Sequence, residues 1–70
     1  MYEDFAITIG SRIKAKREAL GLSRNEVAKI CGMSYSTVQR VEDGKSNARV
    51  STLVALAVVL DISNADLYKD

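Results

Sequence analysis

Four consecutive hydroxyl residues, Ser34 to Thr37, stand just ahead of a helical pattern in the middle of the chain. Such residues are mediocre helix formers, but their hydroxyl groups both donate and accept hydrogen bonds. Val38 and Val41 follow at helical spacing, so we expect a helix that buries its valines and exposes the polar side chains of its first turn. That surface suits recognition by hydrogen bonds, although an ordinary exposed surface also tolerates polar residues.

Positive charge is concentrated in the middle of the chain. The formal net charge is only +1, but residues 11–49 contain nine Lys and Arg against four Asp and Glu, a balance of +5. The segments 1–10 and 50–70 each contribute −2. A basic middle between acidic ends suggests one face that binds polyanions. The alternative is a solvated surface of mixed charge.

Residues that usually carry catalysis or hold metals are scarce. The chain has no histidine, and its one cysteine, Cys31, has no candidate base and lies on an apolar face, which is typical of a small core residue. Clusters of Cys, Asp or Glu with metal-ligand spacing are missing as well. We therefore expect no enzymatic activity, no metal, no cofactor and no small-molecule ligand.

The composition also bounds the location. One cysteine permits no internal disulfide, and no stretch approaches the ~20 apolar residues of a membrane span or has the pattern of a signal peptide. We expect a cytoplasmic protein with no membrane partner.

Glycines and capping residues divide the chain into helices. Gly21, Gly32 and Gly44 each follow an amphipathic segment, where a helix C-terminus favours glycine. Ser23 and Glu26 have the spacing of a capping box. With 70 residues, we predict a single all-α domain over 1–70. Its five helices are expected at about 4–20, 24–31, 35–43 and 50–60, with a short last helix capped by Ser63 or Asn64.

Apolar spacing predicts which side chains form the core. Gly10 costs roughly 1 kcal/mol relative to alanine inside a helix, so we expect another helix to pack closely against it. The expected core residues are Phe5, Ile9, Ile13, Leu20, Val27, Ala28, Cys31, Met33, Val38, Val41, Val50, Leu53, Leu56, Ala57, Leu60 and Leu67.

The segment 24–43 has the pattern of a helix-turn-helix, because a tight turn containing Gly32 joins two short helices, with small Ala28 where they approach. Over about 9–67 the chain resembles the Cro/C1-type (XRE-like, lambda-repressor-like) helix-turn-helix family of small transcriptional regulators. One departure is that Asn47 is followed by alanine where the family often has proline, which leaves this loop less rigid. The matching residues are Ile9, Gly10, Arg12, Ile13, Arg17, Gly21, Leu22, Ser23, Glu26, Val27, Ala28, Gly32, Met33, Ser34, Val38, Glu42, Gly44 and Lys45, with the segments 52–57 and 61–63.

The resemblance implies a five-helix DNA-binding domain whose third helix, 35–43, enters the major groove of double-stranded DNA with its first turn at the base edges. Arg40 is the candidate for a bidentate guanine contact, and Gln39 could read adenine. The ring of Tyr35 could instead pack on the DNA backbone. The expected base contacts are Tyr35, Ser36, Thr37, Gln39 and Arg40.

Affinity is expected to come mainly from DNA phosphates. Ser34 is mainly a helix cap, with phosphate contact as a second role, whereas Lys14 and Lys29 are ordinary solvated charges. The resemblance further implies a partly buried salt bridge between Arg17 and Glu42 that positions the recognition helix. The expected phosphate contacts are Arg24, Ser34, Lys45, Ser46, Asn47 and Arg49, with Arg12 and Lys16 reaching the outer backbone.

One helix-turn-helix reads only a half-site, so a homodimer on a palindromic operator is expected. We predict a dimerisation region at about 54–70, because the fourth helix is apolar nearly all round. The alternative is that the last helix and the N-terminal segment cover this surface. The expected interface residues are Val58, Asp61, Ile62, Leu67 and Tyr68.

Repressor and activator are not distinguished by the residues, and RNA polymerase is a further candidate partner. Since the sequence ends at Asp70, we expect regulation through concentration and dimerisation rather than through a ligand-sensing domain. That fits a Cro-like phage regulator, an antitoxin or the controller protein of a restriction–modification system, and the resemblance implies a bacterial or phage-infected cell, where DNA binding would place the protein on the nucleoid. The competing hypothesis is a protein-interaction module of the same fold, which binds another repressor or a toxin instead of DNA.

Overall fold

Local capping signals and apolar spacing produce five helices in the computed structural model, which describes residues 2–45 and 49–69 and their side chains from residue 4 onwards. The predicted five-helix, all-α architecture is confirmed, and no strand occurs in these two ranges. The predicted bounds differ from the observed ones mainly at the first helix. The helices are α1 (Tyr2–Ala19), α2 (Arg24–Cys31), α3 (Tyr35–Glu42), α4 (Val50–Leu60) and α5 (Asn64–Tyr68).

Serine caps begin three of these helices. Ser23 accepts the backbone N–H of Glu26 at 3.0 Å, and the Glu26 carboxylate accepts the backbone N–H of Ser23 at 2.9 Å, which completes the capping box of α2. These bonds with Ser23 lower the pKa of Glu26 below its ordinary value, because they favour the carboxylate form. Ser34 accepts the N–H of Thr37 at 3.2 Å, and Ser63 accepts that of Asp66 at 3.1 Å.

The core lies where α1, α3, α4 and α5 meet, with α2 packed on α3 and α4. Leu22, Cys31, Met33, Leu53, Ile62 and Tyr68 pack around its edge. The fully or nearly fully buried apolar residues are Ile9, Ile13, Val27, Ala28, Val38, Val41, Leu56, Ala57, Leu60 and Leu67.

Three expected core residues are exposed instead. Phe5 stacks against the Tyr68 ring at the edge of the domain, with ring centroids 6.2 Å apart. Leu20 follows the last residue of α1 and turns outward, whereas Val50 stands at the first position of α4, before burial begins. Cys31 is only half-buried, where its Sγ lies 3.8 Å from the carbonyl oxygen of Ala55. Burial raises the pKa of the Cys31 thiol.

Gly10 marks the close approach of α1 to the end of α3. A Cβ atom at this position would overlap the carbonyl oxygen of Val41 and lie 2.8 Å from that of Glu42. The absence of a side chain therefore lets the two helix backbones touch. This contact fixes where α3 lies relative to the longest helix of the domain.

Candidate nucleic-acid interface

The first turn of α3 presents its polar side chains outward. Tyr35 and Ser36 are exposed, whereas Thr37 is half-buried. The Thr37 hydroxyl lies 2.9 Å from the Ser34 hydroxyl, so these two groups share a hydrogen bond at the start of the helix. The structure thus brings the predicted base-contacting residues of this turn onto one end of α3.

Along the rest of α3, some side chains are buried and others are exposed. Val38 and Val41 lie in the core, while Gln39 and Arg40 are exposed. An 8-residue helix with one buried face therefore leaves the opposite face open for contact along its length.

A buried carboxylate stands at the end of the same helix. The Glu42 side chain is fully buried and accepts hydrogen bonds from Arg17 through Nε at 2.6 Å and Nη2 at 3.1 Å. Arg17, itself nearly buried, donates through Nη1 to the Leu22 carbonyl oxygen at 2.7 Å. The pair joins α1 to α3 in the bidentate geometry that makes an arginine–carboxylate contact strong and directional.

A second arginine binds the same carboxylate. Arg24, the first residue of α2, donates through Nε to Glu42 at 2.9 Å, and its Nη2 atom lies 4.0 Å from an Asp43 carboxylate oxygen. The hydrogen bond to Glu42, with a smaller effect of Tyr35, raises the pKa of Arg24 above its ordinary value and keeps it charged. The sequence does not predict this contact, because nothing in the spacing of residues 24 and 42 indicates it.

The other candidate phosphate-binding residues are distributed around α3 and α1. Lys45 and Arg49 are exposed near the end of α3 and the start of α4, whereas positions 46 and 47, which were also predicted, lie outside the described residues. Arg12 donates through Nη1 to the Leu67 carbonyl oxygen at 2.8 Å. Together with Lys16, it borders a concavity of about 380 Å³ that Asp61 and Asp66 also line. The structure therefore places Arg12 and Lys16 beside acidic residues of the C-terminal segment.

The predicted dimer residues fall into two groups. Val58 is 73% exposed and Asp61 is exposed, while Ile62 and Tyr68 are half-buried against the core. Leu67 is completely buried within the chain, which argues against a direct role of its side chain in the predicted dimer interface. Its side chain is part of the hydrophobic core and has no exposed surface.

Within residues 2–45 and 49–69, no helix is long and apolar enough to cross a membrane. The same ranges contain no group of three or more His, Cys, Asp or Glu that could hold a metal ion.

A helix-turn-helix family model matches residues 13–67. An uncharacterized HTH-type transcriptional regulator of Sinorhizobium medicae is 27% identical over 91% of this chain and 46% of its own length. The HTH-type transcriptional regulator PuuR of Escherichia coli is 27% identical over 96% of this chain and 36% of its own length. An uncharacterized transcriptional regulator in the ATPase CF(0) region of Rhodospirillum rubrum is 32% identical over 87% of this chain and 60% of its own length.

The chain thus spans less than two thirds of the length of these relatives. No solved structure matches it significantly.

Proposed function

The chain belongs to the Cro/C1-type helix-turn-helix family of DNA-binding transcriptional regulators, and from this premise we propose that it reads palindromic operators as a homodimer. The observation that carries the proposal is the division of α3 into a buried valine face and an exposed polar face that begins at a serine cap. When a helix-turn-helix domain binds DNA, its second helix lies in the major groove with its N-terminal residues at the base edges, and here that helix is α3.

Base reading is assigned to the exposed side of α3. Ser36 is short enough to approach the groove floor, while Thr37 offers a hydroxyl shared with the cap and a methyl group that can meet thymine. Arg40 has the planar fork that matches guanine, and Gln39 the amide that matches adenine. Tyr35 stands at the edge of this surface, where its ring reaches either a base or the sugar–phosphate backbone.

Phosphate binding is assigned to residues that flank α3. Arg24 and Ser34 stand at the starts of α2 and α3, where free N–H groups and the helix dipole favour an anion. Lys45 and Arg49 extend this surface beyond the end of α3. Positions 46 and 47, which lie outside the described residues, stay predicted phosphate contacts. Arg12 and Lys16 lie beside the C-terminal helix, and their contact with the outer DNA backbone stays a prediction.

A homodimer is supported by the exposed apolar surface of α4. Val54 and Val58 lie one helical turn apart and are 42% and 73% exposed, and α4 carries no charged residue. A two-fold interface brings the same patch of each copy together, which an uncharged patch permits without like-charge repulsion. Asp61, Ile62 and Tyr68 border this surface in the proposed interface.

The dimer is tested by substitution of its most exposed valine. Val58→Asp should shift the protein from dimer to monomer in analytical ultracentrifugation and weaken operator binding, since a charge is placed in an apolar contact. Ser51→Asp, which adds the same charge to an exposed position of the same helix, is the matched control. A dimeric Val58→Asp variant would locate the interface elsewhere, and a monomeric wild-type protein bound to its operator would refute the homodimer.

Regulation of transcription in either direction is compatible with this docking. Occupancy of an operator that overlaps a promoter is sufficient for repression. Activation requires in addition a favourable contact with RNA polymerase. Transcription from a template that carries the protein's operator, measured with and without the protein, decides between repression and activation.

The docking itself is tested by selection of bound sequences from random DNA, followed by variants on the selected operator. Arg40→Ala should relax preference at one base pair, a loss of about 1–3 kcal/mol of discrimination. Lys45→Ala should weaken all sequences alike and lower the slope of log affinity against log salt by about 0.9. Lys29→Ala, which removes an exposed charge from the end of α2, is the control.

Wild-type operator binding by both test variants would refute this docking. Salt-insensitive association with a protein, without binding to DNA, would instead favour the protein-interaction module.

A further inference from the structure

Two arginines share the buried carboxylate of Glu42. One carboxylate accepts three N–H groups from two guanidinium groups, those of Arg17 and Arg24. The second guanidinium group is the more accessible one, since the Arg24 side chain is 21% exposed, against 10% for Arg17 and none for Glu42. Arg17 is further committed to the Leu22 carbonyl oxygen, so Arg24 is the arginine whose charge faces outward.

The way in which Arg24 is held leaves part of its donor set for another partner. Its Nε atom bonds to Glu42, whereas its Nη2 atom is 4.0 Å from the Asp43 carboxylate, beyond hydrogen-bonding distance. A guanidinium group carries five N–H donors in a rigid plane. Fixing Nε therefore orients the Nη groups, and this occurs at the first residue of α2, where helix geometry favours an anion.

We propose that Glu42 is a positioning residue for phosphate binding, which holds Arg24 by Nε so that its Nη groups face the DNA backbone beside the groove occupied by α3. This inference rests on the proposed function, because it names the device by which one of its phosphate contacts is oriented. The carboxylate sits at the end of α3 and the arginine at the start of α2. The ion pair thereby links the position of the reading helix to the position of a backbone contact.

This arrangement requires arginine rather than any cation at position 24. Lysine has a single nitrogen at its tip and lacks the planar fork, so it would bind either Glu42 or a phosphate. Arg24→Lys should therefore lose operator affinity almost as strongly as Arg24→Ala. The expected loss is about tenfold or more, as for one charge-assisted hydrogen bond.

The experiment measures operator affinity against salt for the wild-type protein and for both Arg24 variants, with Lys29→Ala as a control for loss of charge from the same helix. Circular dichroism checks that each variant is folded, which we expect because Arg17 still neutralises Glu42. Similar losses for both Arg24 variants, with the salt slope reduced by about 0.9 and the control unchanged, support the proposal. Wild-type affinity of Arg24→Lys would overturn it, as would wild-type affinity of Arg24→Ala.

A double-mutant cycle isolates the role of the carboxylate. Glu42→Gln keeps the size of the side chain but removes its charge, and once it is present the difference between arginine and lysine at position 24 should disappear. Additive losses would overturn the proposal; if Glu42→Gln does not fold, the comparison of the Arg24 variants decides alone. Failure of the proposed function is distinguishable, because the wild-type protein would then show no salt-dependent binding to any DNA.

Discussion

The close contact between α1 and α3 predicts that Gly10→Ala destabilises the protein, although alanine is the better helix former. At an ordinary position inside a helix this replacement gains about 1 kcal/mol. Here the added methyl group would overlap the Val41 carbonyl oxygen and lie 2.8 Å from that of Glu42. Both obstacles belong to the backbone of α3, so rotation of a side chain cannot relieve them.

The size of the effect follows from these two opposing contributions. Overpacking a well-filled contact typically costs about 1–3 kcal/mol. We expect the upper end of this range, because α1 and α3 must separate to restore van der Waals distances and the Arg17–Glu42 pair joins the same helices. After the helix gain is subtracted, the net loss is about 2 kcal/mol. For a domain of this size that lowers the melting temperature by about 8–16 °C.

Thermal and urea unfolding followed by circular dichroism measure this loss. Ser11→Ala is the matched control, because it alters the exposed neighbouring residue of α1 and should change stability by no more than about 0.5 kcal/mol. A Gly10→Ala variant with an unchanged or higher melting temperature would refute the reasoning, since helix propensity would then outweigh the contact.

Three further predictions concern helix ends. Asp61 has a φ of 57° at the C-terminus of α4, where glycine is favoured and a negative charge opposes the helix dipole. Asp61→Gly should therefore raise the free energy of unfolding in urea by about 1 kcal/mol. A lower urea midpoint would contradict this. Ser34→Ala removes the cap of α3 and should cost about 1 kcal/mol in the same assay, which an unchanged midpoint would disprove. The lowered pKa of Glu26 means that its stabilising effect is complete above the ordinary pKa of a glutamate and is lost as pH falls through the lowered value in the folded protein. The urea midpoint should therefore fall less between pH 7 and pH 3 in Glu26→Gln than in the wild-type protein, and equal falls would argue against the capping box as the cause.

Helix ends could be predicted because their signals are local. Ser23 with Glu26, and Ser34 with its own helix, satisfy backbone N–H groups within three residues, and the structure contains these bonds. The small side chain required at Gly10 was also predictable, since a glycine inside a long amphipathic helix is costly without a close neighbour. In each case the information lies within a few residues of the feature.

Exposure at the ends of helices was not predictable in this way. Phe5 and Val50 fit the apolar spacing of their helices, but the neighbouring helices do not cover these positions. Conversely, Leu67 was predicted both in the core and in the dimer interface, and its complete burial within the chain favours the first assignment. How far a neighbouring helix extends depends on tertiary packing, which periodicity within one segment does not contain.

The candidate site shows the same division between local and distant information. The exposed row on α3 follows from a serine cap and two valines within eight residues. The contact of Arg24 with Glu42 joins positions 18 residues apart in two helices. The family resemblance implied only Arg17 as a partner of that carboxylate. The contact with the second arginine is visible only in the three-dimensional structure.

Under the proposed docking, the residues that read the DNA sequence differ from those that support the fold. Ser36 and Gln39 are exposed on α3, so their replacement should alter base preference while stability changes by no more than about 0.5 kcal/mol. Glu42 has no such freedom, because removing a buried charge strands its partners at a cost of about 3–5 kcal/mol. Under the proposed docking, the operator can change through the exposed residues of one short helix, while the buried carboxylate at the end of that helix holds α3 at the same angle to the rest of the domain.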